Sequence, residues 1–437
     1  MSVIMRASFG LILFAELAVA QSPGDSLATI IKQRIRESSP LLAARRAQVD
    51  VALARRAATG IRPPTTISGE IEEVPSFVNV IGAGSMRVDL SRELRTSGLR
   101  FAEQAVADKD VERARLEVEI AERALDAAAD QLIIQAGGFA AIAARLASED
   151  SLLRGAEEAL RARFSVGDAR YTEVLRLRTE RLRVESEIFH NGADARISRR
   201  QLVRLASSGD STVLGTVVDA AIAQAASRLL GGALAAPLSV DSLIANSAAA
   251  RLAQVAVDQA EASRRRALAE RRAPISASLG LQRFSGDDGG KVFGLTAGVS
   301  VPLGSTARTL NAARLTLAEK EIAAAQAERS ATMARVGSAV AEAADRYEVA
   351  RAQLGAFDAA LLRGAREERE AALSAYRTGS MTLLELIDFE RALAQAEVTR
   401  LRSQLEAADA LLDLIAAALG ADDLGLRVPH TTSGGER

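Results

Sequence analysis

Arg163-Phe164-Ser165-Val166-Gly167-Asp168-Ala169-Arg170-Tyr171-Thr172-Glu173-Val174-Leu175 and, later in the chain, Tyr376-Arg377-Thr378-Gly379-Ser380-Met381-Thr382-Leu383-Leu384-Glu385-Leu386 are two versions of one pattern. Gly167 and Gly379 are 212 positions apart, and so are Glu173 and Glu385. Glycine reaches the backbone angles that end a helix without steric cost. Each segment is therefore predicted to be the turn of a helical hairpin. A doubled hairpin implies a doubled chain. Ala47-Gln48-Val49 recurs as Ala253-Gln254-Val255, 206 positions on, and Pro64 recurs as Pro274. We place a first repeat at 21–208, a linker or equatorial segment at 209–239, a second repeat at 240–420 and a flexible tail at 421–437.

Outward from each turn the order is the same: helix, two strands, long helix, turn, helix. Helix 39–60 stops at Pro63-Pro64 and helix 246–272 at Pro274. From Leu99 to Arg163 the helical pattern is interrupted only by Gly137-Gly138, and spans ~100 Å at 1.5 Å per residue. The return helix 168–208 spans ~60 Å, and helix 39–60 supplies most of the difference. In the second repeat, 306–378 runs down while 380–420 and 246–272 run up. Two short helices end to end beside one long helix predict a rod.

The strand segments 65–72, 84–92, 275–284 and 291–301 alternate cleanly. Ile67, Gly69 and Ile71 oppose Ser68, Glu70 and Glu72; Met86, Val88 and Leu90 oppose Arg87, Asp89 and Ser91. Ile275, Ala277, Leu279 and Leu281 oppose Ser276, Ser278, Gly280 and Gln282, and Phe293 to Val301 follow suit. Two structures satisfy this alternation: a soluble sheet packed on helices, or strands of a membrane barrel. Four strands are too few to close a barrel, and unpaired edges in lipid cost several kcal/mol each. The membrane reading thus requires several copies of the chain, with loops Glu73–Ala83 and Phe284–Gly290 at the cell exterior.

Composition narrows the function. The 437 residues carry a formal charge of -1, are 48% apolar and only 3% aromatic, and include no Cys and two His. Thiol chemistry, disulfides and Cys- or His-rich metal sites are excluded, and we expect no cofactor. No phosphate-binding glycine loop occurs, nor basic segments with interleaved aromatics. We therefore expect neither an ATP-driven machine nor a nucleic-acid binder, and no carboxylate pair suggests an enzyme. Residues 1–20, MSVIMRASFGLILFAELAVA, read as a signal peptide cleaved before Gln21, with no cysteine there to accept lipid. Beyond residue 20 no transmembrane helix is expected.

The remaining candidates lie at the turns. Asp168 and Glu173 in the first, and Glu385 and Asp388 in the second, follow the glycines closely. Converging on an axis they would form acidic rings at a periplasmic aperture; standing alone Asp168, Glu173 and Asp388 would stabilise helix N-termini by ~0.3–1 kcal/mol or simply be solvated. Arg170, Tyr376, Arg377 and Met381 are candidates for contact with another protein at the tips, or for ordinary hairpin packing. Arg176, Arg178, Glu180, Arg181 and Arg183 suit either a solvated outer face or one that lines a water-filled channel, which composition does not separate.

The signal peptide, the tandem repeat and the segments RFSVGDARYTEVL and AYRTGSMTLLELIDFERALAQAE resemble the TolC family of outer-membrane efflux proteins, as does the passage Gly298-Val299-Ser300-Val301-Pro302-Leu303-Gly304. The resemblance covers about residues 30 to 420. It implies a mixed α/β membrane protein: a homotrimer whose twelve strands form an outer-membrane barrel continuous with a long periplasmic α-helical barrel. It also implies a periplasmic adaptor and an inner-membrane transporter of the RND type, and lipid of the outer membrane as surroundings. Family members narrow the duct with acids after the second turn, where this chain has Glu385 and Asp388. Some carry Arg two places after the turn glycine, where this chain has Met381. The stretch AYRTGSMTLLELID and Leu90-Ser91-Arg92-Glu93-Leu94 are similar to the CzcC-like branch, which implies heavy-metal efflux; multidrug efflux and type I secretion are alternatives within the fold. An exported helical stalk is the alternative outside it.

Overall fold

The computed structural model describes residues 23–59, 61–72, 85–94, 97–206, 222, 226–227, 240–245, 247–271, 275–285, 291–301 and 305–419. The expected signal peptide, most of the linker, the exterior loops, Pro302-Leu303-Gly304 and the tail lie outside them. Nine α-helices and four strands are described: α1 Pro23–Ser38, α2 Pro40–Thr59, β1 Thr65–Glu72, β2 Ser85–Leu94, α3 Ser97–Ser165, α4 Tyr171–Ala206, α5 Val240–Ala245, α6 Ala248–Glu270, β3 Ile275–Ser285, β4 Lys291–Ser300, α7 Ser305–Ala356, α8 Leu362–Arg377 and α9 Leu383–Leu419. A π-helical turn, Phe357–Leu361, joins α7 to α8. The chain is mostly helical with one small antiparallel sheet of four strands.

Two compact units share the chain. The first holds residues up to Ser38, Ala128–Ala236 and Val349–Asp409; the second holds Ser39–Ala127, Pro237–Glu348 and the remainder. Each therefore draws on both halves of the sequence.

The first unit contains both hairpin turns. Its helices bury small and branched apolar residues: Ile31 and Ile35 of α1, Ile133 and Ile142 of α3, Leu177 and Leu202 of α4, Val398 and Ala407 of α9. Leu362 and Ala365 of α8 pack with Ala396 of α9, flanked by Leu393. Gly137-Gly138, expected to break α3, does not: the helix runs through both. A side chain at 138 would place its Cβ 2.8 Å from Cγ and 2.9 Å from Cδ1 of Leu405, so the glycine is a groove that receives a leucine. Helix α3 also contains an apolar stretch long enough to cross a membrane, with mean hydropathy 1.3, contrary to the sequence expectation. More than half of that stretch is buried against other helices, so it is a core segment.

The second unit contains the sheet. Ser39 and Pro40 open α2: the Ser39 hydroxyl accepts from the Leu42 amide at 3.4 Å, and Pro40 occupies the first helical position. Ser247 opens α6 likewise, accepting from Ala250 at 3.1 Å. Val336, Val340 and Ala343 of α7 meet Leu414 and Ala418 of α9, with α5 laid alongside through Leu243 and Ile244. The sheet order is β1-β2-β3-β4, antiparallel throughout. Ile67, Leu90, Leu279 and Ala297 stand in register, as do Gly69, Val88, Leu281 and Leu295. Directly paired residues share a face, so the apolar positions make one continuous surface, and Ile67, Val88, Leu281, Leu295 and Val299 are exposed on it. The other face carries Ser68, Asp89, Gly280 and Thr296 in register. A Cβ at 280 would meet the Asp89 carboxylate and lie 2.7 Å from Thr296 Oγ1, which is why a glycine stands there.

Candidate functional site at the hairpin turns

Both turns close in the same way. Gly167 has φ 81° and Gly379 φ 76°, in the left-handed region. The Asp168 amide donates to the Arg163 carbonyl at 2.9 Å and the Gly167 amide to Phe164 at 3.0 Å. In the second turn Ser380 donates to Ala375 at 3.0 Å and Gly379 to Tyr376 at 3.1 Å. This pair of bonds is the Schellman arrangement, which satisfies the last carbonyls of a helix and needs a residue without Cβ strain at the glycine position.

The four candidate acids are placed differently. Asp168 is held by its own turn: Arg163 Nε donates to Oδ2 at 3.0 Å and Nη2 lies 2.9 Å away. Glu385 closes a capping box at the start of α9. Its Oε2 accepts from the Thr382 amide and hydroxyl, both at 2.8 Å, and its amide donates to Thr382 Oγ1 at 3.3 Å. The backbone hydrogen bond from Thr382, then the hydroxyl's, hold the Glu385 carboxyl below the usual carboxylate range. Glu173 stands half-buried in the first turn of α4, and Asp388 is exposed one turn along α9 from Glu385. Neither forms an ion pair among the described residues.

Of the contact candidates, Arg170 and Arg377 are exposed, Met381 is half-buried, and Tyr376 is 40% exposed. The Arg170 carbonyl accepts from the Glu173 amide at 3.1 Å. Tyr171 crosses the first turn to Phe164, ring centroids 5.4 Å apart, and both rings remain exposed. The first tip thus presents an aromatic pair that the glycine-centred reading passed over. It also passed over the capping box, although Thr382-Leu383-Leu384-Glu385 is the sequence signature of that motif.

Behind the tips lies a buried charge network that the sequence disguises. Glu157 of α3 is 4% exposed; it accepts from Arg181 Nε of α4 at 3.0 Å and pairs with Arg161. Arg181 also lies 3.9 Å from Asp150. Arg181, expected to face water outside or within a channel, is in fact the cation of a helix–helix contact. Glu149, 7% exposed, has its carboxyl pushed up by burial, against the opposing pull of Arg145 and Arg391; Glu187 and Glu180 push it further up. Arg145 meets Glu397, Arg391 meets Glu180 at 3.2 Å and Arg402 meets Glu187 at 3.2 Å. In the second unit an open groove of about 660 Å³ is lined by apolar side chains and by charges of which several are paired, Arg56 with Asp108 and Arg251 with Glu119 among them. Among the described residues no group of three His, Cys, Asp or Glu side chains is arranged to hold a metal.

No protein-family model matches the sequence, and no curated protein matches it. Solved structures do match the fold. The outer-membrane channel OprN superposes with a TM-score of 0.65 at 18% identity, over 91% of this chain and 90% of that one. CusC, whose structures describe folding and transmembrane channel formation, gives 0.66 at 15% identity over 92% and 95%. The outer membrane protein VceC of Vibrio cholerae gives 0.64 at 16% identity over 90% and 96%. The fold is that of outer-membrane channels, with hairpin turns, long helices and a four-stranded sheet in one chain.

Proposed function

We propose that this chain is a TolC-family outer-membrane exit duct of a tripartite efflux system: passive, non-catalytic, and built from three copies. The observation that carries the reading is the sheet. It exposes one continuous apolar face, opposes it with a small and polar face, and leaves β1 and β4 as unpaired edges. That is a third of a barrel wall, suited to lipid outside and water inside. The polar face lines the lumen, and the helices extend into the periplasm. A helical stalk would have no use for such a face.

A periplasmic adaptor and an RND-type inner-membrane transporter supply the energy, docking at the tips where Arg170, Tyr376, Arg377 and the Phe164–Tyr171 pair are exposed. Asp388, exposed and without an ion pair among the described residues, is the acid best placed to ring an aperture. Glu173 is a second contributor, while Asp168 and Glu385 chiefly secure their turns. Heavy-metal cations are the cargo suggested by the CzcC-like segments; multidrug or protein export would use the same duct.

Electron microscopy of the protein purified from outer membrane tests the duct, which requires a threefold particle; recovery only as a soluble monomer would refute it. Single-channel recording then tests the aperture. Asp388→Asn is expected to lower cation preference more than Glu385→Gln, and an unchanged preference in both would remove these acids from the pore.

A further inference from the structure

The chain crosses between helix and strand four times, and the crossings share a charge pattern. Residues 61–69, 94–102, 271–286 and 289–318 contain no Asp or Glu. They do contain Arg62, Arg95, Arg100, Arg271, Arg272 and Arg308 near the crossings. Arg92 joins them: it stands in register with Thr65 and Ala277 at the helix end of the sheet, on the apolar face, while Glu93 takes the opposite face. Arg62, Arg92, Arg271 and Arg308 are exposed and make no ion pair among the described residues. Among helix-body arginines of the same unit, Arg266 and Arg314 both reach Glu270 at 3.3 Å and Arg251 reaches Glu119 at 3.1 Å, while Arg55, Arg115 and Arg329 form no ion pair among the described residues. Exposed apolar side chains accompany the unpaired arginines. Ile61 adjoins Arg62, Leu310 follows Arg308, and Arg100 lies over the exposed Phe101 ring at 5.7 Å.

We propose that these arginines form a collar that binds the phosphates of anionic phospholipids in the inner leaflet of the outer membrane. The proposal rests on the duct reading, which puts the helix end of the sheet at the periplasmic surface of the bilayer. Three facts select this partner. The cations gather at the helix end of the apolar face, as headgroups do at the end of the acyl chains. Arg62, Arg92, Arg271 and Arg308 have no carboxylate partner among the described residues, so their donors are open to phosphate, which the guanidinium fork matches in two-point contact. Apolar and aromatic neighbours suit the boundary between chain and headgroup. At the other end of the band, Arg283 stands on the apolar face in register with Met86 and Phe293, six positions along the strand from Ala277. Two rims ~20 Å apart along tilted strands, with arginine stems reaching outward, fit an apolar band of ~25 Å.

The test uses the full mature protein in detergent, offered phosphatidylglycerol or phosphatidylcholine, with retained lipids counted by native mass spectrometry. The wild type should prefer phosphatidylglycerol, and the quadruple variant R62Q/R92Q/R271Q/R308Q should lose that preference by at least about tenfold. Removing four arginines elsewhere, in R264Q/R265Q/R329Q/R363Q, should leave it intact, and lysine at the four collar positions should largely retain it. Should the quadruple variant not assemble, R92Q and R308Q singly are each expected to reduce the preference about fivefold. An unchanged preference in the collar variants overturns the proposal, as does a preserved preference with altered oligomeric state, which would make the collar a contact between copies. Wild-type protein that never fractionates with membrane would instead sink the duct reading, a separate and earlier readout.

Discussion

Gly138 and Gly155 lie on the same helix, and the same substitution should move stability in opposite directions at the two. In an exposed helix interior, glycine to alanine stabilises by ~1 kcal/mol through propensity. At Gly155, an added Cβ meets nothing within 4 Å, so Gly155→Ala should show that gain in full. At Gly138 the new methyl would overlap three atoms of one side chain, with Leu405 Cγ at 2.8 Å, Cδ1 at 2.9 Å and Cδ2 closer still. The whole isobutyl group must move, and Leu405 is 6% exposed, with little room to do so. Overpacking of this kind costs ~1–3 kcal/mol, which outweighs the propensity gain and leaves Gly138→Ala destabilised by ~0–2 kcal/mol. Leu405→Ala alone should cost ~2–5 kcal/mol. In the double variant the two changes partly fill each other's defect, so the coupling should be favourable by ~0.5–3 kcal/mol. Melts of detergent-solubilised protein at one scan rate, followed by far-ultraviolet circular dichroism, report the ordering of the four proteins. Equal stabilisation by the two alanines, with additive double-variant behaviour, would refute the argument that the glycine is a seat for Leu405.

Three further outcomes are expected. Alanine at Gly167 or Gly379, whose φ values are 81° and 76°, should cost ~1–2 kcal/mol each, and asparagine distinctly less, as read by thermal melts or by faster proteolysis at the turns. Arg181→Gln leaves Glu157 with Arg161 alone in a buried site and should cost ~3 kcal/mol, while the Arg181→Gln/Glu157→Gln pair recovers part of the loss. Glu149 has a raised carboxyl pKa in the folded protein, so folding is opposed by its ionisation above the unfolded value of ~4.3. Wild-type stability should then gain from this group as pH falls from neutral towards that value, and Glu149→Gln should be more stable near neutrality and lack that component of the pH profile.

Elements set by local chemistry could be read from the sequence; those set by packing could not. The turns were legible because a Schellman closure needs glycine wherever it occurs, and the strands because period two has no other cause over ten residues. Gly137-Gly138 misled because an isolated glycine signals a break only when nothing packs on it, and Leu405 lies 267 positions away in sequence. Arg181 and Glu157 misled for a related reason. A charged residue on a long amphipathic helix looks the same whether water or another helix covers it, and their partnership spans two helices. The π-turn at Phe357–Leu361 has neither proline nor glycine within it, so no local signal marks it. The site residues divide in the same way: the turn glycines were visible, while the capping role of Glu385, and the difference between a tethered Asp168 and an Asp388 without an ion pair among the described residues, emerged only with the side chains in place.

If the chain is a duct, the sheet also constrains how it reaches its membrane. Within one chain β1 and β4 are edges, of eight and ten residues. Alternate residues of an edge strand direct their N–H and C=O groups away from the sheet, so roughly nine residues, or about eighteen polar groups, would face lipid unpaired. At several kcal/mol for each such group the total runs to tens of kcal/mol. The exposed apolar face cannot offset this, because burying it in lipid with the edges open removes water from both. On the duct reading, a membrane-inserted single copy is excluded on energetic grounds, and pairing of β1 with β4 of a neighbouring copy would precede or accompany insertion. Placing proline within β4, at a position whose N–H points away from β3, should block that edge. On this argument it would abolish membrane insertion and trimer formation together, not one without the other.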